Sequence, residues 1–275
     1  MTEIDEQTLP LPGKHFDFAQ MPGHWLLAQL GKKVLRPGGM ELTNQMLAAL
    51  NVQPVDNVVE FAPGLGVTAQ MTLARNPASY TAVERDEDAA RLVRSYLDGP
   101  EQTCIVGQAG DTGLPSASAS AIYSEAMLTM ESTRRKADIL QEAERLLVEN
   151  GRYAIHELCL LPDDLCEDKK KEIQKELAKA IRVNARPLTP TEWRELMTSA
   201  GFQVQADGMA PMHLLAMKRF VKDEGIGGTL RFVGNLLRHP AALRRVVQMR
   251  RVFHKYQDHL GAIMLVGRKS ERNAT

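Results

Sequence analysis

Residues 58–70 read VVEFAPGLGVTAQ, in which a short apolar run passes into a turn with two glycines and then into a helix. Small residues let the backbone approach a ligand closely, and the first turn of a helix leaves N–H groups free for a negative group. Glu84 ends the next predicted strand, 18 positions after Gly66 (84 − 66). A carboxylate there commonly accepts both hydroxyls of a ribose. The succession predicts a site for a nucleoside-containing cofactor.

Strands and helices alternate around this stretch. Hydrophobic periodicity predicts strands at 58–61, 80–84, 103–106, 121–123 and 153–161 and helices at 67–75, 86–97 and 134–149. Apolar strands joined by helices indicate a parallel sheet that is covered on both faces. A last strand at 259–267 is expected to pair antiparallel with a strand at 202–206. We therefore expect an α/β fold with a Rossmann-like doubly wound mixed sheet, mostly parallel with an antiparallel last strand, plus helical lid insertions.

The domain organisation follows from where this alternation begins and where it is interrupted. Residues 1–39 are expected to form an N-terminal arm and helical cover, and residues 40–275 the main domain. Helical insertions are predicted at about 163–183 and 217–258, the second broken at Pro240. Between them, Thr189-Pro190-Thr191-Glu192 has the pattern of a capping box at a helix start.

Composition and charge exclude several classes of protein. The chain of 275 residues has 34 Lys and Arg against 34 Asp and Glu, so a general polyanion binder is not expected. Its three cysteines, Cys104, Cys159 and Cys166, show neither metal-ligand spacing nor a disulfide framework, which predicts no metal site and a reducing compartment. No signal peptide or membrane-spanning run is evident, and we expect a cytoplasmic protein without integral membrane contact.

Two classes of cofactor compete for the glycine turn. Gly64, Gly66 and Ala69 loosely satisfy the dinucleotide pattern Gly-x-Gly-x-x-Gly/Ala, which would indicate an NAD(P)-dependent oxidoreductase. Glu60, however, would place a carboxylate near the pyrophosphate of a dinucleotide, an unfavourable arrangement. A carboxylate at that position suits a cationic amino-acid tail better.

The motifs at the strand ends resemble those of class I S-adenosylmethionine-dependent methyltransferases. Glu60–Gly66 looks like the first motif, although Ala62 replaces the more usual first glycine and Pro63 the residue after it. Further similarity lies in the second, third and fourth motifs and in the turn before the fifth strand: Val83–Asp86, Gln108-Ala109, Ser124–Met127 and Glu149–Arg152. The pattern covers roughly residues 40–206 and 259–267, and it is most similar to small-molecule methyltransferases of the ubiquinone/menaquinone-biosynthesis type.

The resemblance implies S-adenosyl-L-methionine as cofactor and S-adenosyl-L-homocysteine as product. The residues that it implies for binding the cofactor are Glu60, Ala62, Pro63, Gly64, Gly66, Glu84, Arg85, Gln108, Ala109, Glu125 and Ala126. Glu125 is expected near the sulfonium, and His156 on the fifth strand is a candidate general base, since imidazole titrates near neutral pH. A buried structural histidine is the alternative for His156.

The predicted acceptor is a small, partly apolar or anionic molecule, methylated by in-line displacement. No Asn-Pro-Pro-Tyr/Phe follows the fourth strand, which argues against methylation of nucleic-acid bases. Residues 217–258 hold ten Lys and Arg against three Asp and Glu, a net charge of +7 (10 − 3). This insertion is interpreted as a lid, a membrane-surface contact or a solvated covering helix. A catalytically silent cofactor-binding partner protein is a further alternative to an enzyme, and the sequence does not predict the oligomeric state.

Overall fold

The computed structural model describes residues 11–212 and 214–270, so the first ten residues of the predicted N-terminal arm lie outside the described part. Its seven-stranded sheet has the order β3-β2-β1-β4-β5-β7-β6. The strands are β1 Asn57–Phe61, β2 Ser79–Glu84, β3 Gln102–Val106, β4 Ala119–Glu125, β5 Leu147–Leu160, β6 Phe202–Pro211 and β7 Leu260–Lys269. The first five strands pair in parallel, whereas β7 runs antiparallel to both β5 and β6. The predicted fold class is confirmed.

Helices cover both faces of the sheet because successive strand residues point to opposite sides. Val58 packs with α2 Gly39–Leu50, α3 Val67–Leu73 and α4 Glu87–Arg94 on one face. Its neighbour Val59 packs with α5 Thr133–Leu146 and α7 Pro190–Ser199 on the other. Each connecting helix returns the chain to the start of the next parallel strand. The carboxyl ends of these strands therefore lie along the same edge of the sheet, where ligands bind in such folds.

Four further helices pack together above that edge. They are α1 Gly23–Gln29, α6 Glu167–Ile181, α8 Met217–Arg238 and α9 Pro240–Lys255. An apolar cluster joins α1 to α8 and α9 through buried residues that include Leu26, Phe220 and Val246. The helix α8 is interrupted at Gly225, which has a φ of 71° and a ψ of 174°.

The boundary between α5 and β5 differs from the sequence prediction. The helix predicted at 134–149 ends at Leu146, because Leu147 pairs with Ala119 of β4 and begins β5. Asn150 then takes a left-handed conformation with a φ of 62° inside an irregular stretch of the strand. The capping box predicted at Thr189 and Glu192 is present and starts α7. No helix in the described part of the chain is long and apolar enough to cross a membrane.

Candidate active site

A cavity of about 760 Å³ opens at the carboxyl ends of β1, β2 and β4. All cofactor-binding residues that were predicted from the sequence line it except Gly66: Glu60, Ala62, Pro63, Gly64, Glu84, Arg85, Gln108, Ala109, Glu125 and Ala126. The loops after neighbouring parallel strands meet at one edge, so residues from separate motifs face a shared space. The cavity size falls in the range of small-molecule and cofactor sites.

The turn after β1 requires left-handed backbone at three positions. Ala62, Gly64 and Gly66 have φ values of 54°, 57° and 71°. Glycine takes this conformation freely, whereas an alanine pays roughly 1 kcal/mol of strain. A Cβ on Gly66 would lie 2.7 Å from the Tyr96 ring, so Gly66 permits close packing below the turn. A Cβ on Gly64 would meet no atom within 4 Å, because that side of Gly64 faces the cavity.

Glu84 at the end of β2 is fixed by two backbone donors. The Gly64 N–H donates to its Oε2 at 3.0 Å, and the Asp86 N–H donates to its Oε1 at 3.0 Å. Burial raises the pKa of the Glu84 carboxyl against the effect of these donors. Each carboxylate oxygen has further lone pairs that can accept from a ligand. The Glu84 carboxylate is therefore held in a fixed orientation in the cavity wall.

Glu60 lies deeper in the cavity wall and is held by two tyrosines. Its Oε2 accepts hydrogen bonds from the hydroxyls of Tyr80 and of Tyr123, the second at 2.6 Å. Burial raises the pKa of Glu60 to about 7, although the two tyrosine donors oppose this. About half of the Glu60 carboxyls are therefore protonated at neutral pH, and a nearby cation would favour the charged form.

Glu125 at the end of β4 is the centre of a buried polar network. Its Oε1 accepts from the Thr43 hydroxyl at 2.6 Å and lies 2.8 Å from His156 Nδ1. Its Oε2 lies 2.9 Å from an Arg36 guanidinium nitrogen and accepts from the Thr68 hydroxyl. Burial by itself would raise the pKa of Glu125, but Arg36 and His156 outweigh burial and lower it to about 2. The carboxylate is ionised at neutral pH.

His156 lies beneath the cavity and does not line it. Its side chain is 0% exposed, with Nδ1 facing Glu125 and Nε2 lying 2.6 Å from the Pro37 carbonyl oxygen. Both ring nitrogens therefore lie within hydrogen-bond distance of an oxygen atom of the chain. Because both nitrogens face atoms of the chain and His156 does not line the cavity, the geometry favours the alternative of a buried histidine that positions Glu125 over the predicted general base.

A second buried carboxylate holds the turn that follows β4 and contributes to the cavity wall. Glu157 accepts the N–H groups of Met127, Leu128 and Thr129 and the Thr129 hydroxyl, all within 3.0 Å. These donors fix the short 3₁₀ turn at Leu128–Met130. Met127 and Met130, which line the cavity, are thereby presented from a rigid turn.

The outer part of the cavity combines apolar and basic side chains. Its apolar lining includes Phe16, Trp25, Leu35, Leu65 and Val183, and its cations include Lys33, Arg85 and Arg135. His24 also lines this part, and burial followed by the charge of Arg85 lowers its pKa to about 4. The His24 ring is therefore neutral at physiological pH, and it makes no hydrogen bond to any residue of the described chain.

Sequence reasoning missed three members of the Glu125 network, namely Arg36, Thr43 and Thr68. Thr68 lies two residues after the first motif, so its place at the start of α3 was a usable signal. Arg36 precedes Pro37-Gly38-Gly39, which was interpreted only as a break between elements. Nothing in that local pattern indicates a contact with a residue 89 positions later (125 − 36).

Comparisons with known proteins agree with this geometry. A family model described as a methyltransferase domain matches residues 59–155. An uncharacterized protein of Haemophilus influenzae is 31% identical over 240 residues, which cover 86% of this chain and 92% of the relative.

Solved structures share the fold at low sequence identity. The MccD protein is 15% identical with a TM-score of 0.68, covering 86% of this chain and 99% of that one. Phosphoethanolamine N-methyltransferase 2 of Haemonchus contortus, in complex with S-adenosyl-L-methionine, is 14% identical with a TM-score of 0.66, covering 90% of this chain and 57% of that one. The domain match and the bacterial relative show that the chain belongs to the methyltransferase-domain family, and the solved structures share its fold.

Proposed function

We propose that the protein binds S-adenosyl-L-methionine and transfers its methyl group to a small, partly apolar or anionic molecule, releasing S-adenosyl-L-homocysteine. The observation that carries the proposal is the position of Glu84. Its carboxylate is held by the Gly64 and Asp86 amides in the wall of a cavity that the glycine turn lines. Two fixed oxygens suit the vicinal hydroxyls of a ribose.

Two other features of the cavity fit this cofactor. Arg36 lines the cavity, and its buried Nε has no hydrogen-bond partner among the described residues. A buried unpaired donor is costly, so an anionic ligand group such as the carboxylate of an amino-acid tail would complete this site. Gly64 leaves open space where any other residue would place a Cβ. Gln108 and Ala109 line the cavity where the family resemblance places the adenine.

The bound cofactor supplies an electrophilic methyl group on a positively charged sulfur. The protein's part is to hold an acceptor in line with that methyl group and to exclude water. Met127, Met130 and Trp25 provide apolar contact, while Lys33 and Arg135 provide positive charge near the mouth. An acceptor with an apolar body and an acidic group matches this lining.

His24 is the imidazole that we propose for accepting a hydrogen bond from the nucleophilic group of the methyl acceptor. It lines the cavity, is neutral at physiological pH and has no hydrogen-bond partner in the described chain. Glu125 remains a proposed site residue, but its pKa of about 2 makes it a poor proton acceptor. Its negative charge, balanced by Arg36 and His156, instead contributes a fixed field at the base of the cavity.

Proton release from Glu60 is a measurement that is specific to the proposed position of the cofactor's amino-acid tail. If the ammonium of the amino-acid tail lies beside Glu60, binding converts the protonated fraction of this carboxyl to the charged form. Because the pKa of Glu60 is about 7, we expect release of about half a proton per ligand at pH 7. Calorimetry of S-adenosyl-L-homocysteine binding in buffers of different ionisation enthalpy measures this number. Binding without proton release, or equal release from the Glu60→Gln variant, would exclude this placement.

Methyl transfer itself is tested with methyl-labelled S-adenosyl-L-methionine and the small-molecule fraction of a bacterial extract. We expect label in a small molecule with the wild type and little with Glu84→Ala. Glu87→Ala, an exposed acid in the first turn of α4, is the matched control and should behave as the wild type. Cofactor binding without any transfer would favour the catalytically silent partner protein. Binding of NADPH but not of S-adenosyl-L-methionine would favour the oxidoreductase.

A further inference from the structure

The second half of α8 carries an apolar stripe on its exposed face. Ile226, Leu230, Val233 and Leu237 are 72%, 68%, 37% and 68% exposed. Their spacing places them on one side of the helix over about 16 Å. The opposite side is occupied by Thr229 and Phe232, which are buried. Exposed apolar residues that occur singly need no explanation, but an aligned row of four marks an interaction surface.

The stretch of sequence that contains this stripe and continues through α9 carries charge of one sign. Residues 225–257 contain six arginines and one lysine and no aspartate or glutamate. Five of the arginines are exposed and form no ion pair with any acid of the described chain: Arg231, Arg238, Arg244, Arg250 and Arg251. Arg231 and Arg238 each follow a leucine of the stripe directly and lie seven residues apart. They therefore border the stripe along the same edge.

The surface is connected to the wall of the cavity. Just before the break at Gly225, Glu224 Oε1 accepts the N–H groups of Lys33 and Val34, both at 2.9 Å. Further along the helix, the Asn235 side-chain amide donates to the Leu30 carbonyl oxygen at 3.2 Å. These hydrogen bonds hold residues 30–34, which lead directly into Leu35 and Arg36 in the lining of the cavity. A partner seated on α8 would thus lie against the helix that supports the cavity wall.

We propose that Ile226–Leu237 and the flanking arginines form a docking surface for an anionic membrane, with the stripe embedded in the headgroup region. An apolar row bordered by arginines is the arrangement of helices that lie in the membrane interface. Arginine stems can contact apolar lipid while their guanidinium groups reach the phosphates. A second copy of the chain fits poorly, since pairing two such surfaces would bring unpaired arginines together. This inference is independent of the proposed methyl transfer, because membrane binding is measured without cofactor.

The test is flotation of the full-length protein with vesicles at physiological salt. We expect binding to vesicles of phosphatidylcholine mixed with phosphatidylglycerol and little binding to phosphatidylcholine alone. Each cation near an anionic membrane contributes about fivefold, so Arg238→Ser, Arg244→Ser and Arg251→Ser combined should weaken binding about 100-fold. A matched triple variant at other exposed cations, Arg134→Ser, Lys175→Ser and Arg268→Ser, should lose much less.

The stripe is tested separately with Leu230→Gln combined with Leu237→Gln. We expect binding to fall by about tenfold or more for each leucine removed from the interface. Val55→Gln is the control, because Val55 is 83% exposed but lies outside this surface. Circular dichroism and thermal unfolding confirm that the variants fold.

Three results would overturn the proposal. The first is the absence of binding to either kind of vesicle. The second is binding that the leucine and arginine variants leave unchanged. The third is self-association in sedimentation experiments that the leucine substitutions abolish, which would assign the stripe to an interface between copies.

Discussion

Replacing Glu125 by glutamine removes one negative charge from the buried network beneath the cavity while keeping the side-chain shape. Arg36 then keeps its positive charge without a counter-charge, and His156 Nδ1 loses its carboxylate partner, because both residues face Glu125 in the wild type. The side chains of Arg36 and His156 are 11% and 0% exposed, so water cannot replace the lost partner. Glu125→Gln is therefore expected to destabilise the fold strongly.

The size of the effect follows from the pKa of Glu125. Folding lowers this pKa from its ordinary value of 4.5 to about 2. Each tenfold change in proton affinity corresponds to about 1.4 kcal/mol, so the ionised carboxylate contributes about 3 kcal/mol at neutral pH. Because the folded-state pKa is the lower one, this contribution is complete above pH 4.5 and is lost as the pH falls towards 2. The removal of one partner from a buried ion pair typically costs about 3–5 kcal/mol, which is consistent.

Denaturant unfolding at pH 7 measures the difference. We expect Glu125→Gln to lower the free energy of unfolding by about 3 kcal/mol. Glu149→Gln makes the same chemical change at an exposed position of β5 and should change it by less than about 0.5 kcal/mol. The double variant with Arg36→Met should be less destabilised than the sum of the two single variants, since both groups of one pair are removed together.

A loss of less than about 1 kcal/mol in Glu125→Gln would show that the buried charges are not coupled as described. Additive effects of Glu125→Gln and Arg36→Met would refute the pairing of these two residues. Either result would also remove the reason for assigning His156 a role in positioning Glu125.

Three further predictions concern the cofactor side of the cavity. Glu84→Ala should weaken S-adenosyl-L-homocysteine binding by about tenfold or more, measured by calorimetry, because two fixed acceptors for a diol are lost; unchanged affinity would refute the diol assignment. Gly66→Ala should lower the free energy of unfolding by about 1–3 kcal/mol, since its new methyl group meets the Tyr96 ring. Gly64→Ala should lower it by only about 1 kcal/mol but should reduce ligand affinity more than Gly66→Ala does. Equal losses of stability in the two variants would contradict this difference. Burial raises the pKa of Glu60 from 4.5 to about 7, so its contribution to stability is complete below pH 4.5 and is lost as the pH rises to about 7. In the wild type, Glu60 should therefore make the free energy of unfolding decline by up to about 3 kcal/mol over that pH range. Glu60→Gln should remove this decline when denaturation is measured as a function of pH. An unchanged pH profile would contradict the raised pKa.

The sequence predicted the parts of the site that depend on local pattern. The run from β1 through the glycine turn to α3 was recognisable, because a buried strand, a left-handed turn and a helix start each leave a signature within a few residues. Glu84 was recognisable from its distance to that turn. The antiparallel pairing of β7 with the strand that begins at Phe202 was also predicted, although its place between β5 and β6 required the structure.

The polar network around Glu125 was not predictable from the sequence. Arg36 reaches Glu125 because the chain turns back at Gly38 and Gly39, where φ is 72° and 60°. The same reversal brings the Pro37 carbonyl oxygen to His156. A histidine on a strand is equally compatible with a catalytic base and with a buried structural residue, and only the two oxygen atoms that His156 faces decide between them. The early end of α5 was also not predictable from local sequence. Leu147 is compatible with a helix or a strand, and its pairing with Ala119 of β4 places it in the strand.

Calorimetric titration with S-adenosyl-L-homocysteine and with NADPH tests most directly whether this cavity is a methyltransferase cofactor site. The structure predicts one S-adenosyl-L-homocysteine bound per chain, with affinity reduced by Glu84→Ala and retained by Glu87→Ala, and no binding of NADPH. Binding of NADPH without binding of S-adenosyl-L-homocysteine would contradict the proposed cofactor, as would S-adenosyl-L-homocysteine binding that is insensitive to the loss of Glu84.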